Sequence, residues 1–409
     1  MNPSALGTVL MEPETVFGEA VSTFAVSRLP VIPMALDVSG LKQPRIDSTR
    51  LQQYKQGGAP WIQMPYDCTF KLKFYLTGHG SPTTGAVVPN IIETLCGYAF
   101  GNLDAVPASG TTAAAASTAT VVNTVASGTF PAGSLVRVGT AGDARGGGQW
   151  AVVGSHVATV LTLLNALPGI PNAGDIIYSA SLAYTTESPA PASPQSMRLL
   201  LAKANQRYEV HGAVITDVAI AGLSVGELPT IEFTFTAARW AYNIAAAFPS
   251  TVTTEVFQPN PVAAGSFHLN AVGNSLRTTR IYRSFALTIK LGIAMEKGPG
   301  ATDPYQVLVG ARRIVDDYRI TFTEDAEPSG THTLDDAFVA GVAQLGVLSL
   351  SVAPGSAMCI RFANLNWCAD RPIQIDGDGL GRMAATLKAN AGPVTTSDRT
   401  MAALMIGFA

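Results

Sequence analysis

The stretch Ala221-Gly-Leu-Ser-Val-Gly-Glu227 places Gly222, Ser224 and Gly226 in the G-x-S-x-G spacing. In α/β-hydrolases that spacing lifts a nucleophilic serine out of a sharp strand-to-helix turn. The chemistry needs a strand before the serine, a helix straight after it, oxyanion donors at the helix start and a histidine base. Upstream, Val214–Ile220 suits a strand. Downstream, Glu227-Leu-Pro-Thr-Ile-Glu-Phe-Thr-Phe235 contains Pro229 and then strict alternation, so a second strand follows. Ser224 is therefore expected in a glycine-bounded turn between antiparallel strands. None of the five histidines (His79, His156, His211, His268, His332) is placed by the sequence to activate it. A serine esterase using residues 222–226 stands as the enzymatic alternative.

Other chemistry-bearing residues point the same way. Asp376-Gly-Asp-Gly379 resembles the opening of a calcium loop, but the twelfth position is Leu387 in an alternating stretch instead of a bidentate glutamate. Val138-Gly-Thr-Ala-Gly-Asp-Ala-Arg-Gly-Gly-Gly148 is glycine-rich without the Gly-Lys-Ser/Thr ending of a phosphate loop, and reads as a hairpin tip. Cys68, Cys96, Cys359 and Cys368 form no C-x-x-C pair and suit reduced thiols in a cytosolic product. Trp61, Trp150, Trp240 and Trp367 lack surrounding Lys/Arg and read as core or subunit-interface residues. No catalytic, cofactor-binding or metal-binding residue is assigned, and no enzymatic activity is expected.

The elements that position these residues are strands. Phe70–Leu76, Ile231–Thr236, Phe285–Leu291 and Tyr318–Thr323 alternate apolar and polar residues with period two, while 39 Gly and 26 Pro fall mostly between such segments. The class is mainly β, of the α+β kind. Two short helices are expected. One covers Pro89–Phe100 with Ile91, Leu95 and Tyr98 on one face and Gly101 as its stop. The other covers Thr333–Val342, with Thr333 as N-cap and Asp336 in the capping-box position.

The order of elements repeats. A strand at 70–76 leads into the first helix and then into the strand pair 208–220 and 229–237. Strand 318–323 leads into the second helix and then into 359–375 and 382–389. Two copies of one β-sandwich or barrel unit, each with one helix, are predicted. Residues 1–104 with 187–250 form the first unit and 251–409 the second. Residues 105–186 have no counterpart and read as an inserted small β-barrel, with Pro189–Pro194 as a stiff return linker.

Composition adds a constraint on surface. Charged residues make up 13% of the 409, well under the roughly 25% of an average soluble domain, while the apolar share is an ordinary 47%. A subunit mostly covered by neighbouring copies fits such a surface. With 26 basic and 29 acidic residues and no Lys/Arg run, tight nucleic-acid wrapping is not expected. No apolar run is long enough to span a membrane and no secretory leader is evident, so a soluble chain is expected.

The hairpin from Tyr208-Glu-Val-His-Gly212 through Gly226-Glu-Leu-Pro-Thr-Ile-Glu-Phe-Thr-Phe235 resembles one that recurs in the tail tube (major tail) proteins of long-tailed, siphovirus-type bacteriophages. The inserted segment, with Gly133–Val138, Trp150–Val153 and Ala173–Tyr178, resembles small β modules that decorate tail and capsid proteins. The resemblance implies units that close into rings through sheet pairing. Rings then stack into a hollow tube that conducts DNA at infection. The tandem variety implies trimeric, pseudo-hexameric rings, with a hexamer as the other possibility. It also implies tape measure, terminator and baseplate proteins as partners, DNA only in transit, no membrane, and a place in the virion tail after assembly in the host cytoplasm. Residues 39–66 are expected to reach the next ring, with a shorter counterpart near Lys297–Tyr305. The insert is expected to face outward, and removal of 105–186 to leave rings intact. Another virion assembly protein, a capsid decoration or baseplate subunit, is the structural alternative.

Overall fold

The computed structural model describes residues 8–18, 34–42, 45–47, 61–63, 66–76, 91–104, 111–126, 130–139, 149–185, 194–203, 206–224, 226–242, 262–271, 279–280, 282–299, 306–325, 341, 343–352, 357–368, 373–377, 380–390 and 398–408. The expected second helix at Thr333–Val342 apart from Gly341, the linker residues 189–193, the stretch Gln52–Gly58 and the glycine-rich residues 140–148 lie outside them.

The chain is mainly β. Its first elements are β1 (Thr8–Pro13), β2 (Ala35–Asp37), β3 (Leu41–Lys42), β4 (Arg45–Asp47), β5 (Trp61–Gln63), β6 (Asp67–Tyr75), helix α1 (Ile91–Phe100) and β7 (Gly101–Asp104). Next come β8 (Thr111–Thr112), β9 (Val121–Asn123), β10 (Leu135–Gly139), β11 (Gln149–Val157), β12 (Val160–Leu163) and β13 (Ile176–Ser179). The chain continues with β14 (Ser181–Thr185), β15 (Met197–Lys203), β16 (Gln206–Ala221), β17 (Thr230–Thr236) and β18 (Arg239–Tyr242). The remaining strands are β19 (Val262–Ala271), β20 (Thr279–Arg280), β21 (Tyr282–Lys290), β22 (Ile293–Lys297), β23 (Leu308–Arg313), β24 (Asp317–Asp325), β25 (Gln344–Val352), β26 (Ala357–Trp367), β27 (Ile373–Gly377), β28 (Leu380–Ala389) and β29 (Leu404–Phe408).

Alternation in sequence becomes alternation in burial. In β6, Phe70, Leu72 and Phe74 point into the core while Lys71 and Lys73 face outward; in β17, Ile231, Phe233 and Phe235 do the same. The two strands pair with Phe70 opposite Phe235, and their rings stack at 4.7 Å. Such a cross-strand aromatic pair contributes about 0.5–1 kcal/mol beyond its buried area. One apolar cluster contains these residues together with Phe267, Phe285, Phe322 and Phe362 from the second half, so the two halves share a core.

Helix α1 stops where Gly101 turns with φ 104°. Its buried face centres on Ile92, Leu95, Cys96 and Ala99, one residue round from the expected Ile91–Leu95–Tyr98 stripe, and Ile91 and Tyr98 are only partly buried. The shift follows from packing, since β7 and β14 both lie against the helix. Gly97 allows that approach: a Cβ there would stand 2.6 Å from Leu103 Cβ.

Strands β8 to β13 form a separate six-stranded sheet ordered β8-β13-β10-β11-β12-β9. A bridge between Ala113 and Thr124, flanked by Ala114 N–H to Asn123 O, joins its first and last strands and closes a small barrel. Val122, Val136, Ala151, Leu161 and Ile177 fill it. The barrel's strands run from Thr111 to Ser179. Ser181–Thr185, within the range read as the insert, pairs instead with β7 and β29 in the large sheet.

Candidate assembly site: the joint between the two units

Strand pairing reproduces one pattern twice. In the first half the hydrogen-bonded order is β1-β15-β16-β17-β6-β2. In the second it is β19-β25-β26-β28-β24-β21, with β27 continuing the line of β26 along β28. The match extends to irregularities. Pairing of β15 with β16 slips between Met197↔Ala213 and Leu199↔Val210, and pairing of β25 with β26 slips between Gln344↔Leu365 and Gly346↔Phe362. Each slip sets two steps on one strand against three on the other, the signature of a bulge. Each bulge holds a left-handed residue at the same place, Gly212 with φ 65° and Asn364 with φ 48°. Glycine and asparagine are the residues that tolerate this conformation.

The outer strands agree as well. Pro13 pairs with Met197, and Ala271 with Gln344, so β1 and β19 both end at the bulge. Between the strands that correspond to β2–β6 and β21–β24, each half sends out a two-stranded arm, β4–β5 in one and β22–β23 in the other.

The halves meet edge to edge. Asp217, Val218, Ala219 and Ile220 of β16 pair antiparallel with Lys290, Ile289, Thr288 and Leu287 of β21, and Leu291 N–H donates to Thr216 O at 2.8 Å. A second contact pairs Ser181, Leu182, Ala183 and Tyr184 of β14 with β29, whose residues are all buried. The joint is thus continuous sheet, with main-chain hydrogen bonds setting direction and register. Among the described residues, β27 pairs only with β28.

No family model matches this chain, and no curated protein matches it.

Ser224 lies in the turn between β16 and β17, and the strands on either side are antiparallel. Glu227 N–H donates to Ser224 O at 3.0 Å, and Glu227 Oε2 accepts the Ser224 N–H at 3.4 Å. No helix follows, so the strand–serine–helix geometry of a nucleophile elbow is not formed here. Gly222 is needed for shape: its φ is 71° and a Cβ would meet Leu228 O at 2.3 Å. Tyr282 of the second half donates its hydroxyl to Leu223 O at 2.9 Å, and burial pushes that phenol up to about 12.

The histidines within the described residues sit elsewhere. His211 lies ten residues before Ala221 along β16, roughly 30 Å of extended strand. His156 stacks on Phe130 in the barrel, and His268 is buried in β19. His79 and His332 lie outside the described residues. Asp376 and Gly377 pair with Gly381 and Leu380 in the β27–β28 hairpin, and Leu387 is a buried strand residue. Cys68, Cys96 and Cys359 are buried thiols, and Cys368 is half-buried; burial and the nearby Glu93 push the Cys96 thiol well up. Trp150 is buried, while Trp240 and Trp367 pack against the main core.

Two buried polar clusters had no motif to announce them. Glu14 accepts the N–H groups of Gly18 at 3.1 Å and of Gly212 at 3.0 Å, satisfying a donor that the bulge removes from the ladder. Burial pushes its carboxyl up. Nearby, Arg198 Nε donates to Glu209 at 2.8 Å, and His211 Nε2 stands 3.2 Å from the same carboxylate. The second cluster centres on Arg361 and Arg399. Single charged residues inside alternating strands look alike in sequence whether they face solvent or a neighbouring element.

Proposed function

We propose that the chain is a structural subunit of a tubular assembly, the tail tube of a long-tailed bacteriophage, built from stacked rings around a DNA-conducting channel. The observation that carries this is the β16–β21 joint between two units of matching strand order. A chain whose own halves join edge to edge by antiparallel pairing has the means to repeat that joint between copies. Repetition of a head-to-tail contact closes a ring when the rotation per unit allows it. Pairing of this kind also covers strand edges that otherwise aggregate. The low charge fraction of 13% fits a surface largely covered by neighbours.

With two units per chain, trimeric rings of pseudo-sixfold form are the favoured arrangement. The β4–β5 and β22–β23 arms, leaving the sheet at corresponding places, are the elements that reach the adjacent ring. Tape measure, terminator and baseplate proteins complete the partners on this reading, in a virion tail assembled in the host cytoplasm. Negative-stain microscopy of the purified chain is the test. Rings or tubes are the expected result; dispersed monomers at high concentration across several salt conditions would overturn the proposal. A chain acting as an esterase would instead lose ester turnover on Ser224→Ala.

A further inference from the structure

Strand β10 of the inserted barrel is buried along its whole length, Leu135 to Gly139. A barrel strand with one wet face alternates between buried and exposed. Here the inward residues Val136 and Val138 fill the barrel, while Leu135, with Trp150 and Val152 of the neighbouring β11, packs on Val347 and Cys359 of the second unit and on Ala402 and Met405. The barrel hangs from the first unit through β7 and β14, yet its outer wall is docked on the second.

The docking has a polar centre. Arg361, on β26 of the second unit and 1% exposed, donates through Nη1 to Gly133 O at 3.2 Å and to Arg399 O at 3.0 Å, and through Nη2 to Thr400 O. Ala132 O accepts the Arg399 N–H at 2.8 Å, closing a short bridge between the barrel and residues 398–400. The Arg399 side chain donates through Nη1 to Ser134 Oγ of the barrel at 3.4 Å, pairs with Asp104 of β7 and lies 4.7 Å over the Tyr184 ring of β14, the last two in the first half. Gly133, with φ 82°, brings main chain against main chain, and a Cβ there would stand 2.4 Å from Arg399 C. Barrel, first-half stem and second unit therefore converge on one point.

The repeat supplies a control within the molecule. Counting from the bulge, the position of Arg361 in the second unit is that of Glu209 in the first. Glu209 is engaged by Arg198 of its own unit. The arginine that reaches across occurs only in the unit that carries the barrel against it.

We infer that the inserted barrel is a brace, locked by the Arg361 fork in one orientation against the second unit while it hangs from the first-half stem. A guanidinium without bulk water needs several oriented acceptors: Arg399 O and Thr400 O come from the second half, and Gly133 O of the barrel completes the set when the barrel is seated. Burial lowers the Arg361 pKa to about 10, which leaves it charged at neutral pH. Its planar fork spans acceptors that a lysine ammonium cannot serve at once.

The test is a distance distribution between spin labels on exposed barrel and second-unit positions, Ile170→Cys and Val315→Cys, in a full-length chain with Cys368→Ser. The parent chain is expected to give one narrow peak. Arg361→Met and Arg361→Lys are expected to lose that single peak while keeping β-rich circular dichroism, and Gly133→Ala to do the same through the opposite partner. A narrow peak retained in Arg361→Met and Gly133→Ala would overturn the brace. The readout is taken on unassembled chain, so it stands or falls apart from ring formation.

Discussion

Gly222 and Ser224 lie two residues apart in the same turn and carry different physical weight. Gly222 sits at φ 71° with a carbonyl oxygen 2.3 Å from where a Cβ would go. Gly222→Ala is therefore expected to lower stability by about 1–3 kcal/mol in urea unfolding. Ser224 uses its backbone, and Ser224→Ala is expected within about 0.5 kcal/mol of the parent. The glycines of the motif were legible as backbone devices because Pro229 and strict alternation follow them. Glu14 and Arg361 were not legible, since a buried charge is distinguished from a solvated one only by what packs over it. Glu14→Ala strands the buried Gly212 N–H and is expected to cost about 1–3 kcal/mol. Asp398 offers a pH-dependent check. Hydrogen bonds from the Thr400 hydroxyl and N–H hold its carboxyl below the usual range, so its contribution is present above about pH 4 and fades as pH falls through the folded value. The melting temperature of Asp398→Asn is expected to lie below the parent's at pH 7 and to converge with it in strong acid.

At the scale of elements, the paired bulges are the informative feature. Alternation revealed β6, β17, β21 and β24 from sequence, because each has one buried face and a period of two survives intact. It failed to reveal that β16 changes phase at Gly212, since a bulge exchanges the inward and outward sets midway along one strand. The same change occurs at Asn364 in β26, so the two strands correspond in their irregularity as well as in their order. Gly212→Ala meets φ 65° and a Cβ contact of 2.8 Å with Ala238, and is expected to destabilise by about 1–3 kcal/mol. Asn364→Gly relieves a left-handed conformation and is expected to leave stability nearly unchanged. Thermal melts of the two variants side by side check the equivalence of the positions.

At the scale of the whole molecule, the shared apolar cluster predicts that the halves unfold together. A single transition in differential scanning calorimetry is the expected outcome, and two resolved transitions would contradict it. The insert also looks different at this scale. Cutting out 105–186 removes β14 along with the barrel and exposes the edge of β29, so the deletion that isolates the barrel is 111–179. Composition marked the insert as foreign to the repeat but could not show the second surface on which it rests. That surface is made by Val347, Cys359, Ala402 and Met405, which lie far along the chain.

The β16–β21 joint has a kinetic side. Because it is made within one chain, its formation does not depend on protein concentration, and the two units never bear the translational and rotational entropy loss of a bimolecular encounter. In a closed array of such chains, every second joint is present before the first collision. Nucleation at low concentration then requires fewer bimolecular encounters than it would for separate single-unit subunits.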